Sequence, residues 1–295
     1  MMATINTNMS ANIATNSMTR NERSMGQTME RLSTGIRINS AKDDAAGLAI
    51  SSKMTSQING LNQAVRNAND AVSMIQVAEG AMKGITDMMQ RMRELAVQAI
   101  SDSNTATDRD ALDLEFQALA GEIERISANT QWNGTNLLDG SIGTSGTVKF
   151  QIGANAGQTV DVTFTDLGTA TGDGTTLGGG GLTTNTDTTG NADLDDLDVD
   201  TAANAKLALY ALSEGISNVD SARASLGASM SRLEYASDNL QNVSQNSSAA
   251  RSRIMDADYA AETTELARTQ IIQQAGTVML AQANQSQQAV LSLLT

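Results

Sequence analysis

The sequence predicts a mainly α fold: long antiparallel helical coiled-coil rods formed by both chain ends, with a small β-hairpin and a short irregular outer segment between them. Three observations carry this. Apolar residues recur at alternating spacings of three and four through both terminal thirds. Aromatics are 2% of the 295 residues while hydrophobic residues reach 40%, so the seams are built from Ala, Leu, Ile, Val and Met rather than from rings. No proline interrupts a helix.

The first helical stretch places Met18, Met25, Met29, Leu32 and Ile36 near heptad a and d positions, with Glu22 interrupting the seam. RINSAKDDAAGLAI, residues 37–50, reads as a break between helices. A long helix is expected from about Gln57 to Ile100, on a seam of Ile58, Leu61, Val65, Ala68, Val72, Ile75, Ala78, Met82, Ile85, Met89, Met92, Ala96 and Ala99. At ~1.5 Å per residue it spans roughly 60 Å. A turn over 101–110 offers Thr107 and Asp108 as N-caps. A third helix follows, with Leu112, Phe116, Leu119, Ile123 and Ile126 on one face and its end near Ser127.

Residues 129–140 are rich in turn formers. Val148, Phe150 and Ile152, then Val160, Val162 and Phe164, alternate about GANAGQ and predict a β-hairpin. Residues 167–199 hold Gly, Thr and Asp with few apolar anchors, which suits a small outer element or a loop. Helical periodicity resumes near Ala203 through Leu209, Leu212, Ile216, Val219, Leu226, Met230, Leu233, Leu240 and Val243, with Arg223 and Ser237 filling two seam slots. The last stretch gives Ile272, Gly276, Met279, Ala283, Ser286, Val290 and Leu293. The expected parts are a terminal helix over 1–40, a helical rod plus hairpin over 41–165, a variable segment over 166–202, a returning rod helix over 203–255 and a second terminal helix over 256–295.

Composition excludes much chemistry. With no Cys and no His, disulfides, thiolate or imidazole metal sites and histidine-based triads are impossible. A formal net charge of −14 opposes nucleic-acid binding. No stretch is apolar enough to insert in a membrane, and the first residues lack the basic and apolar regions of a secretory signal. Asp43 and Asp44 sit in a polar connector, not in a pocket that separates an acid from a base. DLDDLDVD, residues 193–200, lacks the Gly and Glu of a calcium loop and reads as solvated acidic surface. The stripe Met82, Met89, Met92 reads as core. No catalytic, cofactor or metal site is expected.

The chain ends are unusual. Residues 1–19 and 269–295 carry no charged side chain. A Gln-rich amphipathic helix with a narrow apolar stripe is weak unless partners cover it. Charge is costly only where the outer faces are also buried, which points to packing among many copies in an array that does not close. Ile272, Gly276, Met279, Ala283, Val290 and Leu293, with Ile5, Met9 and Ile13, are the candidate self-assembly residues.

Several segments resemble bacterial flagellins: INTN (5–8), ERLSTGIRINSAKDDAAGLAI (30–50), RNANDAVSMIQVAEGAM (66–82), QRMRELAVQA (90–99), QWNGTNLLDG (131–140), FQIGANAGQT (150–159) and ARSRIMDADYAAET (250–263). The resemblance implies a filament subunit whose terminal helices line an inner tube, beneath a rod layer and a solvent-facing middle. It implies export by the flagellar type III route to the extracellular filament. The partners implied are further copies of itself, the flagellar cap and hook-filament junction proteins, an export chaperone and the flagellin-sensing Toll-like receptor of animal hosts. The family's receptor contact motif matches here at Arg91, Leu95 and Glu115. A flagellin-like protein with an inserted zinc protease is excluded, because that motif needs histidine.

Overall fold

The computed structural model describes residues 8–167 and 197–292. Its elements in chain order are α1 (Met9–Thr34), α2 (Ala45–Ile100), α3 (Ala106–Asn129), β1 (Gln131–Trp132), β2 (Thr135–Asn136), β3 (Thr147–Gln151), β4 (Thr159–Thr163), α4 (Ala202–Met255) and α5 (Tyr259–Ser292). They form two compact units: Met1–Ile58 with Gln245–Thr295, and Asn59–Ser244. The variable segment expected over 166–202 lies mostly outside the described residues, as does the first half of the acidic run 193–200.

In the first unit, α1 and α5 pair antiparallel. Asn8 Nδ2 donates to the Ala283 carbonyl (3.2 Å), Asn21 Nδ2 to the Thr269 carbonyl (2.7 Å), and Arg31 meets Glu262 (3.2 Å). Numbers rise along one helix as they fall along the other. Asn8 caps α1 by accepting from the Ala11 amide, and Gly35 ends it with φ 71°. Below that cap, Ile36 bridges Asp256 and the Arg37 amide donates to the Met255 carbonyl (2.6 Å). The Tyr259 hydroxyl donates to the Leu32 carbonyl (2.8 Å).

The expected break over 37–50 is shorter than the sequence suggests. α2 starts at Ala45, not near Gln57. Asp44 Oδ1 accepts from the Gly47 amide (2.9 Å), and a Cβ at Gly47 would meet Ile38 Cδ1 at 2.6 Å. Ser51 and Thr55 turn their hydroxyls back onto the Leu48 and Ser51 carbonyls, so this polar stretch stays helical.

The second unit has a larger apolar core. Ile75, Met82, Ile85, Met89 and Met92 of α2 are fully buried with Phe116 and Ile123 of α3 and Leu212, Val219 and Leu233 of α4. Each such side chain contributes about 1.5–3 kcal/mol. Along α2 the seam runs as expected, widened by Ala64 and Ala71, while Val65 and Val72 are half-buried. Along α4 it is broadened by Ala205, Ala208 and Gly215. Ala222 takes the slot read for Arg223, and Ser244 is buried where Val243 is exposed. The α3 N-cap is Thr105, not Thr107 or Asp108; Asp108 is its reciprocal partner in a capping box.

The predicted hairpin is β3–β4, antiparallel with Val148 opposite Val162 and Phe150 opposite Val160. Val160, Val162 and Phe164 are buried. It lies along α2, where Asn67 Nδ2 donates to the Gln151 carbonyl (3.0 Å) and Ala154 packs against Gly60. A second hairpin, β1–β2, turns through Asn133 (φ 49°) and Gly134 (φ 80°), the backbone an Asn-Gly pair favours. Sequence periodicity misses it because each strand has two residues.

Candidate assembly surface

The contact between α1 and α5 is built from small and polar side chains. On α1 the inward stripe is Asn8, Ala11, Ala14, Met18, Asn21, Met25, Thr28 and Leu32; on α5 it is Leu266, Thr269, Gln273, Gly276, Leu280 and Ala283. The residues buried on α1 are Asn21 and Thr28. Small slots let the two backbones approach within 8 Å. At Gly276 a Cβ would stand 3.1 Å from Met18 Cγ.

The structure divides the expected seam, whose pairing within the subunit or with a neighbour the sequence leaves open. Gly276 and Ala283 do face α1. Ile272 and Met279 do not; they are 44% and 65% exposed, and Gln273 and Leu280 take the inward slots. On α1, Met29 is exposed and Thr28 turns inward, and Asn21 occupies the slot that spacing assigns to Glu22. Hydrophobicity alone assigns the larger apolar residue to the seam. Close approach favours the smaller or hydrogen-bonding one. Ile5, Leu293 and the side chain of Val290 lie outside the described residues.

The apolar residues displaced from that seam point outward. Ile271, Ala275 and Val278 form a stripe of their own at spacings of four and three, and all are exposed. Gln282, four residues on and also exposed, continues it with an uncharged amide. At 100° per residue the stripe's centre lies roughly 160° around α5 from the face that meets α1. Ile272 and Met279 flank it. Met9 and Ile13 on α1 are 59% and 62% exposed. α5 therefore carries two seams, one filled and one open, and from Thr269 onward it has no charge to solvate the open one. Contiguous exposed apolar surface of this kind marks an interaction site.

The three residues expected from the resemblance to contact a receptor divide differently. Arg91 Nε holds Glu115 Oε1 (2.9 Å) and its Nη1 holds Glu94 Oε2 (3.0 Å), all on half-exposed side chains. Hydrogen bonds that Arg91 donates to Glu115, then to Glu94, raise its pKa above the usual value. Leu95 is 1% exposed and belongs to the rod core. The fold brings Arg91 and Glu115 together at the surface and withholds Leu95.

The paired carboxylates serve the backbone. Asp43 is held below the usual carboxylate range by the Ser40 amide and hydroxyl and the Asn39 amide, and Asp44 caps α2. Among the described residues no cluster of three or more metal-ligating side chains occurs, and no helix is long and apolar enough to cross a membrane.

Residues 5–142 match the family model for the bacterial flagellin N-terminal helical region, and 209–294 that for the C-terminal helical region. The chain is 45% identical over 292 residues to a flagellin of Halalkalibacterium halodurans, covering 98% of this chain and 99% of that one. It is 41% identical to the flagellar filament 33 kDa core protein of Treponema phagedenis, at the same coverage. A crystal structure of Bacillus cereus flagellin matches with a TM-score of 0.46 and 30% identity, covering 59% of this chain and 88% of that chain.

Proposed function

The chain belongs to the bacterial flagellin family and is a structural subunit of a flagellar filament, not an enzyme; from that premise we propose that it polymerises through its paired terminal helices into the filament used for swimming. The observation that carries this is the open stripe Ile271, Ala275, Val278, flanked by Ile272 and Met279, with Met9 and Ile13 of α1 exposed as well. A helix with one seam filled internally and a second left apolar is half of a larger helical assembly. Gly276 and Ala283 serve it indirectly, by letting α5 sit close to α1.

The subunit works outside the cell, reached by type III export. Its partners are other copies of itself, the cap and hook-filament junction proteins and an export chaperone. A second role, as ligand of the host flagellin-sensing Toll-like receptor, is supported by the surface pair Arg91–Glu115; Leu95 then acts from beneath, fixing the helix that presents Arg91. In a cell reporter assay, monomer carrying Arg91→Ala is expected to lose most of the response, and an unchanged response sinks the assignment.

The polymerisation reading is tested directly. Monomer released by heating, then cooled and seeded with filament fragments, is expected to extend them. The chain lacking residues 269–295 is expected not to. Long, stable filaments from the truncated chain refute the reading.

A further inference from the structure

We propose that the thioethers of Met9 and Met279 are a reversible oxidation site that decides whether a free subunit can join an assembly. The inference rests on the polymerisation reading and adds a chemical modification to the same surface.

The chain has no Cys, no His and one Trp, so its 15 Met residues are the main targets for two-electron oxidants. Burial divides them. In the rod, Met74, Met82, Met89 and Met92 are between 0% and 6% exposed, whereas Met9 is 59% and Met279 65% exposed. The two lie at one level of the terminal hairpin. Met9 follows Asn8, which bonds the Ala283 carbonyl, and Met279 lies between Ala283 and Gly276, which meets Met18. Ile13 and Val278, 62% and 68% exposed, are their exposed apolar neighbours along α1 and α5 respectively. Each thioether is thus exposed among the described residues, on one of the two helices expected to meet other copies.

The chemistry is a single oxygen transfer from a hydroperoxide. The sulfur lone pair attacks the terminal peroxide oxygen and the S–O bond forms. The O–O bond breaks, and the leaving oxygen keeps the bond pair and takes the proton, departing as water when the oxidant is hydrogen peroxide. Sulfur is oxidised by two electrons and the peroxide reduced by two. No protein bond is broken. The sulfoxide oxygen is a strong acceptor, and an apolar contact between copies leaves it unpaired. Methionine sulfoxide reductases of both stereochemical classes reverse the change with a dithiol as reductant: the oxygen leaves as water and the dithiol becomes a disulfide. Once copies cover this surface, the same sulfurs are protected.

The test uses the full chain. Monomer treated with mild hydrogen peroxide is mapped by peptide mass spectrometry, checked for retained helical circular dichroism, and added to filament seeds. Met9 and Met279 are expected to oxidise before the rod methionines, and seeded elongation to slow by about tenfold or more. The reductase pair restores it. The double variant Met9→Leu, Met279→Leu is compared with its own untreated rate and is expected to elongate equally fast before and after peroxide. Met29, 53% exposed and flanked by Glu30, oxidises too, but Met29→Leu leaves the sensitivity in place. In intact filaments Met9 and Met279 oxidise about tenfold more slowly than in monomer. Undiminished elongation by oxidised monomer, equal sensitivity of the double variant, protection by Met29→Leu alone, or equal oxidation rates in filament and monomer each overturn the inference while leaving polymerisation standing. Failure of untreated monomer to extend seeds overturns both.

Discussion

The terminal helix pair and the central rod solve the same packing problem in opposite ways. The rod hides Met, Ile, Leu and Phe among α2, α3 and α4 and leaves its charges outside. The pair hides Asn21, Thr28 and Thr269 and leaves Ile271, Val278, Met279, Met9 and Ile13 outside. A unit that buries its large apolar side chains has already gained its hydrophobic stabilisation by folding. A pair that buries small and polar ones keeps that gain in reserve for contact with other copies. The difference teaches that the rod draws its stability from a large apolar core, although it too leaves Leu114, Tyr210 and Tyr235 exposed, whereas the terminal pair draws little from its own small, polar seam.

The largest effect expected from breaking this contrast is on assembly. Ile271→Asp with Val278→Asp puts two charges into the open seam while leaving the face toward α1 untouched. Seeded elongation is expected to stop, because each carboxylate has no partner in a covered apolar contact. The melting of the rod, followed by circular dichroism, is expected to stay unchanged; a variant that elongates normally removes the basis for the contrast. The converse change is Ile85→Ala in the rod core, where the side chain is fully buried. It is expected to cost about 2–5 kcal/mol in urea unfolding of the monomer, through lost burial and a residual cavity.

A smaller effect sharpens the description of the filled seam. Asn21→Ala removes the bond to the Thr269 carbonyl and leaves a methyl in its slot. The hairpin is expected to lose about 1 kcal/mol, read as faster amide hydrogen exchange in α1 and α5 with no change in the rod. If exchange is unaltered, the polar seam is packing alone.

Much of this is legible from spacing, and the failures share a cause. The seam of α2 can be read because its large apolar residues face inward, where hydrophobicity and burial agree. In α1 and α5 they disagree. Met29 and Ile272 are more apolar than Thr28 and Gln273, yet they face out, because the helices pack through the small side chains of Ala14, Gly276 and Ala283. Periodicity finds the helices and misses the face by one residue. The start of α2 escapes although Asp44 is of an N-cap type, because Gly47 and the polar residues around it read as a break. Asn8 and Asn21 give no signal beyond their type, since their role depends on carbonyls far along the chain. Leu95 shows the remaining limit: four-residue spacing from Arg91 gives a shared side of the helix, but not how much of that side is covered.

The smallest effect concerns polar groups, and it separates the two regions again. Among the described residues, the buried side-chain atoms with no hydrogen-bond partner are Asp198 Oδ1 and Arg223 Nε, and both belong to the rod unit. Asp198 sits where the chain returns from the variable segment. There Gln117 donates to the Leu197 carbonyl (2.8 Å) and the Val199 amide to Asp113 (2.9 Å). Burial pushes the Asp198 carboxyl above its ordinary range, aided by Asp200 and Asp113 and opposed by a hydrogen bond with Asn204. A carboxyl whose pKa rises on folding binds more protons in the docked state. Docking therefore strengthens as pH falls from neutral through the folded pKa and weakens as pH rises again. Asp108 at the start of α3 has the opposite sign: Thr105 holds its pKa down, so its contribution is present at neutral pH and lost on acidification. Asp198→Asn removes the first response and spares the second. Hydrogen exchange at the Val199 amide, compared between pH 7 and pH 5, is expected to show a smaller pH response in the variant than in the parent chain, with a gain in docking at pH 7 below about 1 kcal/mol because solvent screens the site. An identical pH response in the two chains means that Asp198 stays solvated and that the rod, like the terminal pair, satisfies its carboxylates.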